Sequence, residues 1–132
     1  MSMYVKQSNK ATPISMNESN LRTYLKHYTK DTLPGLTNES SLSHICEGGL
    51  LPDMSVISLW INDDTRYGQE FRRDAGKYIG WLSIQRLGTT RYLLFRAYNQ
   101  AIILINTQSD VNNVGWLDYW YKVNLSEQHV NN

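Results

Sequence analysis

The chain has 132 residues, 41% of them apolar, and a formal net charge of +1. That size and core material suit one domain, and no run of about eighteen apolar residues is present to cross a membrane as a helix. The opening stretch MSMYVKQSNK lacks the apolar core and cleavage site of a secretory signal. Cys46 is the lone cysteine, so no internal disulfide forms and a cytoplasmic setting is expected.

The small net charge conceals an uneven distribution. Residues 65–98 carry Arg66, Arg72, Arg73, Lys77, Arg86, Arg91 and Arg96 against Glu70 and Asp74, a local excess of +5, while the segments on either side are each −2. A basic segment within a near-neutral chain suggests an anionic ligand or partner surface. The alternative is a set of ordinary charges facing water.

Residues 1–14 and 126–132 are polar and expected to be flexible. Ser15 and Glu18 have the spacing of a capping box. Leu21, Tyr24, Leu25 and Tyr28 then recur at helical intervals, so a helix is expected near 16–26, although TYLKHYT also alternates as a strand. Pro34 and Gly35 break the chain before a short helix near 39–47, which places Leu42, Ile45 and Cys46 on one face and Gly48 in the left-handed stop position.

After this point the period changes. Ile57, Leu59 and Ile61 alternate with Ser58, Trp60 and Asn62, giving a half-buried strand over 55–62. Residues 78–86 and 90–98 read as strands joined by a tight turn at Gly88. Residues 101–106 are apolar on both faces, as a central strand would be, and 116–124 alternate again. A single helix across 91–105 is the competing reading, but three isoleucines and the aromatics there favour strand. The fold expected over 1–132 is a single α+β domain, one or two N-terminal helices followed by a mainly antiparallel sheet of about five strands.

His27, His44, His129 and Cys46 are the imidazole and thiol ligands available, and they show no zinc spacing, so no metal is expected. Cys46, beside Leu42 and Ile45, suits a core position better than a nucleophile's.

One ordered set of residues carries a family resemblance. His27-Tyr28-Thr29 is followed by Leu42, Ile45 and Gly48-Gly49-Leu50-Leu51-Pro52, and then by Ile57-Ser58-Leu59-Trp60-Ile61. This order resembles the opening of small ADP-ribosyltransferase-like domains over residues 23–62. Arg91–Phe95 and Trp120–Val123 fit their late strands by order alone. The resemblance implies NAD as cofactor and a macromolecular acceptor of ADP-ribose. It makes His27 and Trp60 the catalytic candidates, His27 holding a ribose and Trp60, or Tyr67 just beyond, stacking on nicotinamide. Tyr28 and Thr29 belong to the same strand motif, and Arg66, Arg72 or Arg73 would meet the pyrophosphate through forked donors. Such a reaction relies on positioning and charge stabilisation of a ribosyl cation. No glutamate stands where the family carries one on a late strand, Asp118 and Glu127 being the nearest acids. The resemblance therefore extends to a degenerate member that binds without catalysing.

Two other readings come from the residues themselves. Within 66–98, Tyr67, Phe71, Tyr78, Trp81, Tyr92, Phe95 and Tyr98 interleave with the arginines, as in sheets that bind single-stranded nucleic acid. Tyr92, Leu94, Arg96 and Tyr98 would share one face of their strand, with Leu93, Phe95 and Ala97 on the other. The same side-chain types are enriched at protein interfaces, so a protein-binding inhibitor or immunity-type module is the third function class.

Overall fold

The computed structural model describes residues 24–47, 49–109 and 115–123. The expected flexible ends, the helix near 16–26 up to residue 23, and Gly48, Glu127 and His129 lie outside them. Six strands form one sheet in chain order: β1 (Lys26–Tyr28), β2 (Ser55–Ile61), β3 (Gly80–Leu87), β4 (Thr90–Ala97), β5 (Ile103–Gln108) and β6 (Tyr121–Lys122). β1 runs parallel to β2 and every later pairing is antiparallel. Helix α1 (Leu42–Cys46) lies in the crossover from β1 to β2, and helix α2 (Arg66–Ala75) joins β2 to β3.

The α+β class and the mostly antiparallel sheet are as expected. Two corrections concern arrangement. The sheet has six strands rather than about five, and the helices alternate with strands, since β1 precedes α1. TYLKHYT takes its strand alternative from Lys26 onward, because three residues of backbone there pair with Ser55, Val56 and Ile57. The expected last strand over 116–124 shortens to Tyr121–Lys122, preceded by a 3-10 turn at Trp116–Asp118.

α2 is the element absent from the sequence expectation. Thr65 caps it by accepting from the Gly68 amide at 3.1 Å. Tyr67 and Phe71, one helical turn apart, are both buried. Gly68 lets the first turn close on the end of β2. A Cβ there would lie 2.2 Å from the Asn62 carbonyl oxygen, closer than any side chain tolerates.

One face of the sheet holds the core. Ile57, Leu59 and Ile61 of β2, Leu82 and Ile84 of β3, Leu93 and Phe95 of β4, and Leu104 of β5 pack against both helices. The Phe71 ring lies 4.5 Å from that of Phe95 and 4.9 Å from that of Trp120. Cys46 is buried in this layer, where burial above all pushes its thiol up, away from the reactive thiolate.

α1 has five residues, too few to persist on local propensity. Its ends are instead held from elsewhere in the chain. Ser41 accepts from the His44 amide at 3.0 Å, and Glu70 of α2 accepts from the Leu42 amide at 2.8 Å. At the other end, Arg91 donates to the Cys46 carbonyl, and the Trp116 indole donates to Glu47. The β3–β4 hairpin turns over two residues, and Gly88, at φ +62°, supplies the left-handed first position such a turn needs.

Candidate functional site

The other face of the sheet is largely open to solvent, with Val56 of β2 buried on it. Cross-strand register arranges it in rows. Trp60, Trp81, Arg96 and Ile103 stand opposite one another across β2 to β5. Ser58, Ser83, Leu94, Ile105 and Tyr121 form the next row, and Val56, Gln85, Tyr92 and Thr107 the third. Strict alternation puts these side chains here, because their sequence neighbours point into the core. β5 is apolar on both sides for this reason. It is the fifth strand of six, not a central one, and Ile103 and Ile105 belong to the exposed face.

Trp60 and Trp81 pair at 5.2 Å between ring centroids with planes at 65°, and Tyr98 meets Trp60 at 5.8 Å and 79°. These are edge-to-face contacts of the favourable kind. Trp81 remains 53% exposed and Tyr98 60%. Tyr92, Leu94, Ile105 and Tyr121 are exposed on the same face. Exposed apolar side chains gathered on one face are uncommon where nothing docks.

At one edge of this face, beyond the carboxyl ends of the parallel strands β1 and β2, lies a cavity of about 480 Å³. Trp60, Trp81, Ser58, Tyr67, Thr29, Asp31 and Asp64 line it, together with Lys30, Asn62 and Thr65. Crevices at such strand ends are frequent ligand sites. The Tyr67 ring is buried, and burial raises its hydroxyl pKa against a smaller opposing effect of the hydrogen bond to Thr65. Asp64 is held by reciprocal hydrogen bonds with Asn62, 3.1 Å from amide to carboxylate and 2.9 Å from the Asp64 backbone N–H to the Asn62 oxygen. The Lys30 ammonium donates to the Asn38 side chain. Neighbouring Asp63 is paired with Arg72, whereas neither Asp31 nor Asp64 takes part in an ion pair among the described residues.

The residues implied by the family resemblance divide into three groups. Thr29, Trp60 and Tyr67 meet in this cavity. His27 is exposed on β1, level with Val56. Trp60 lies four residues further along β2, about 13 Å away at the usual rise of a strand, and His27 does not line the cavity. Tyr28 turns to the opposite side and packs on the core. The arginines lie elsewhere. Arg66 and Arg73 line an adjoining charged groove of about 540 Å³ with Glu39, Gln69, Glu70 and Asp64, the last shared with the cavity. Arg66 pairs with Glu70, Arg73 with Asp74 and Arg72 with Asp63.

The basic segment is thus largely engaged in building the molecule. Arg86 donates to the Leu51 carbonyl at 2.8 Å, and Arg91 is buried and donates to the carbonyls of Cys46 and Gly88 and, at 3.4 Å, to that of Thr90. Arg96 is the arginine of that segment that stands among the exposed aromatics. Among the described residues, no three His, Cys, Asp or Glu side chains converge as metal ligands would.

Sequence reasoning missed Trp81, Asp31 and Asp64 as members of one site. The signal for Trp81 is the β2–β3 register, which places it opposite Trp60. That register depends on the length of α2, which the sequence reading lacks. No protein-family model, curated protein or solved structure matches the chain.

Proposed function

We propose that this protein is a binding module that engages a partner protein through the open face of its sheet. The observation that carries this reading is the contiguous exposed set of Trp81, Tyr98, Tyr92, Leu94, Ile105 and Tyr121 on a face that neither helix covers. Tryptophan and tyrosine are the side chains that most often dominate protein interfaces. A single-stranded nucleic-acid site would need bases threaded among those rings. Here the arginines of 66–98 other than Arg96 are engaged by Asp63, Glu70, Asp74 and backbone carbonyls, and the nearest edge of the face carries Asp31 and Asp64 beside Lys30.

The test compares the intact chain with the double variant Trp81→Ala/Tyr98→Ala, each immobilised and challenged with extract of its source cells. A stoichiometric protein retained by the first and lost by the second is expected, with the partner then reconstituted from purified components. Equal retention by both forms would overturn the reading. So would oligonucleotide binding that weakens steeply with salt and is lost in the same variant.

A second reading, an NAD-binding ADP-ribosyltransferase-like domain, is favoured by the meeting of Thr29, Trp60 and Tyr67 in one cavity. It predicts that NAD quenches indole fluorescence in the intact chain and not in Trp60→Ala; because His27 lies outside the cavity, its part in this reading stands only if His27→Ala removes NAD-linked activity without unfolding the chain. No spectral response to millimolar NAD would end it.

A further inference from the structure

The cavity at the edge of the sheet has a chemistry that the open face does not share, and we infer that it is a receptor for an organic cation, an ammonium or guanidinium group held over the Trp60–Trp81 pair and countered by Asp64 and Asp31. The proposal stands on the cavity alone and does not require the sheet face to dock a protein.

Three observations lead there. The first is the wall. Trp60 and Trp81 meet edge to face at 5.2 Å, so the two indole planes form a corner. Aromatic faces attract cations through their quadrupoles, tryptophan most strongly. The second is the charge. Asp31 and Asp64 are both in the lining and take part in no ion pair among the described residues; Lys30, whose ammonium donates to the neutral Asn38 side chain, keeps its charge, so the lining carries a net negative charge of one. Asp64 is also held in place by Asn62, so little ordering of the counter-charge remains to be done on binding.

The third observation concerns the opposite charge. The N-terminus of α2 borders the cavity through Thr65, and a helix N-terminus ordinarily favours anions. Here two of its first three amides are occupied within the protein. The Arg66 N–H donates to the Asn38 carbonyl at 2.7 Å, and the Gly68 N–H donates to Thr65 at 3.1 Å. An anion would therefore meet two carboxylates, with the Lys30 ammonium as the one charged donor in the lining. At about 480 Å³ the cavity falls in the size range of small-molecule sites.

The cation could belong to a free small molecule or to a basic side chain of another protein. The shared chemistry predicts the same walls for both, and the probes separate them. Tetramethylammonium, N-acetyl-arginine amide and the uncharged analogue neopentyl alcohol are titrated in turn into the intact chain, following the tryptophan indole N–H signals by NMR. Saturable shifts of the Trp60 and Trp81 signals are expected with at least one cation, at least tenfold tighter than with the alcohol. Tighter tetramethylammonium would assign the site to quaternary or methylated ammonium groups, and tighter arginine amide to an arginine side chain.

Asp64→Asn keeps an acceptor for Asn62 and removes the charge, and should weaken cation binding about tenfold with the fold intact by circular dichroism. Trp81→Ala should abolish it, and Leu94→Ala, on the same face but outside the cavity, should leave it unchanged. Equal affinity for cation and alcohol, an Asp64→Asn variant that binds as tightly as the parent, or no saturation by either cation would each overturn the proposal. Because none of these measurements involves a protein partner, failure of the docking reading leaves them interpretable.

Discussion

The side chain of Arg91 reaches the carbonyl of Cys46 at 2.6 Å across 45 positions of sequence. A second branch of the same guanidinium donates to the Gly88 carbonyl at 2.7 Å. One buried cation therefore ties the end of α1 to the β3–β4 turn. Burial pushes its pKa down from the ordinary arginine value, and the carbonyls at a helix C-terminus are where a cation is best tolerated. Arg91→Met should cost about 2–4 kcal/mol, since the buried Cys46 carbonyl and the part-buried Gly88 carbonyl lose a charged donor. Arg91→Lys should recover only part of this, because an ammonium lacks the fork that spans both carbonyls. Urea unfolding of the three proteins measures the difference.

Phe71 and Trp81 separate stability from recognition. Phe71 is fully buried between sheet and helix, so Phe71→Ala should destabilise the chain by about 3–5 kcal/mol. Trp81 is 53% exposed, and Trp81→Ala should cost below about 1.5 kcal/mol while removing partner and cation binding. Thermal melts set beside binding assays check the pair. A large drop in stability for Trp81→Ala would show that its ring serves the core.

Asp53 links the turn before β2 to the β3–β4 hairpin by accepting from the Gly88 amide at 2.6 Å and the Met54 amide at 2.8 Å. These amides, Gly88's first, hold its carboxyl below the ordinary 3.8. Because the folded value is depressed, the stabilisation is complete above the unfolded value and lost as pH falls through the folded one. Stability should therefore decline below about pH 4, and Asp53→Asn should flatten that part of the curve. Denaturant midpoints between pH 6 and pH 2 test this. Parallel curves for the two proteins would exclude the contribution.

Gly68→Ala tests how tightly α2 is seated. The added methyl would meet the Asn62 carbonyl and the Thr65 hydroxyl, so a loss of about 1–3 kcal/mol is expected from overpacking. Displacement of the helix start should also disturb Thr65 and Tyr67, and with them the cavity. Unchanged indole signals in this variant would show that the cavity tolerates the shift.

Much of the sheet was legible because alternation is a local property. Ile57, Leu59 and Ile61 announce which side of β2 is buried, and Leu93 and Phe95 do the same for β4, whose other side carries Tyr92, Leu94 and Arg96 as expected, while Tyr98 lies just past its end at Ala97. α2 was harder to see. Its signature is a Thr65 cap with Tyr67 and Phe71 one turn apart, diluted by Gly68 and by arginines that read equally well as a basic binding segment. The roles of those arginines depend on partners far off in sequence, such as Leu51 for Arg86 and Cys46 for Arg91. Spacing along the chain carries no trace of such contacts. The cavity has the same origin, since Asp31, Asp64, Trp60 and Trp81 come from three separate stretches joined by strand register.

The flanks of the sheet are brief, with β1 offering three residues of backbone and β6 only two. Among the described residues, β1 pairs only Ser55–Ile57 of β2 and β6 only Leu104–Ile105 of β5, so the rest of each longer strand has no strand partner on that side. Under the docking proposal, such stretches would hold an added strand to a few residues, and the rings of the open face would carry most of the selection by shape.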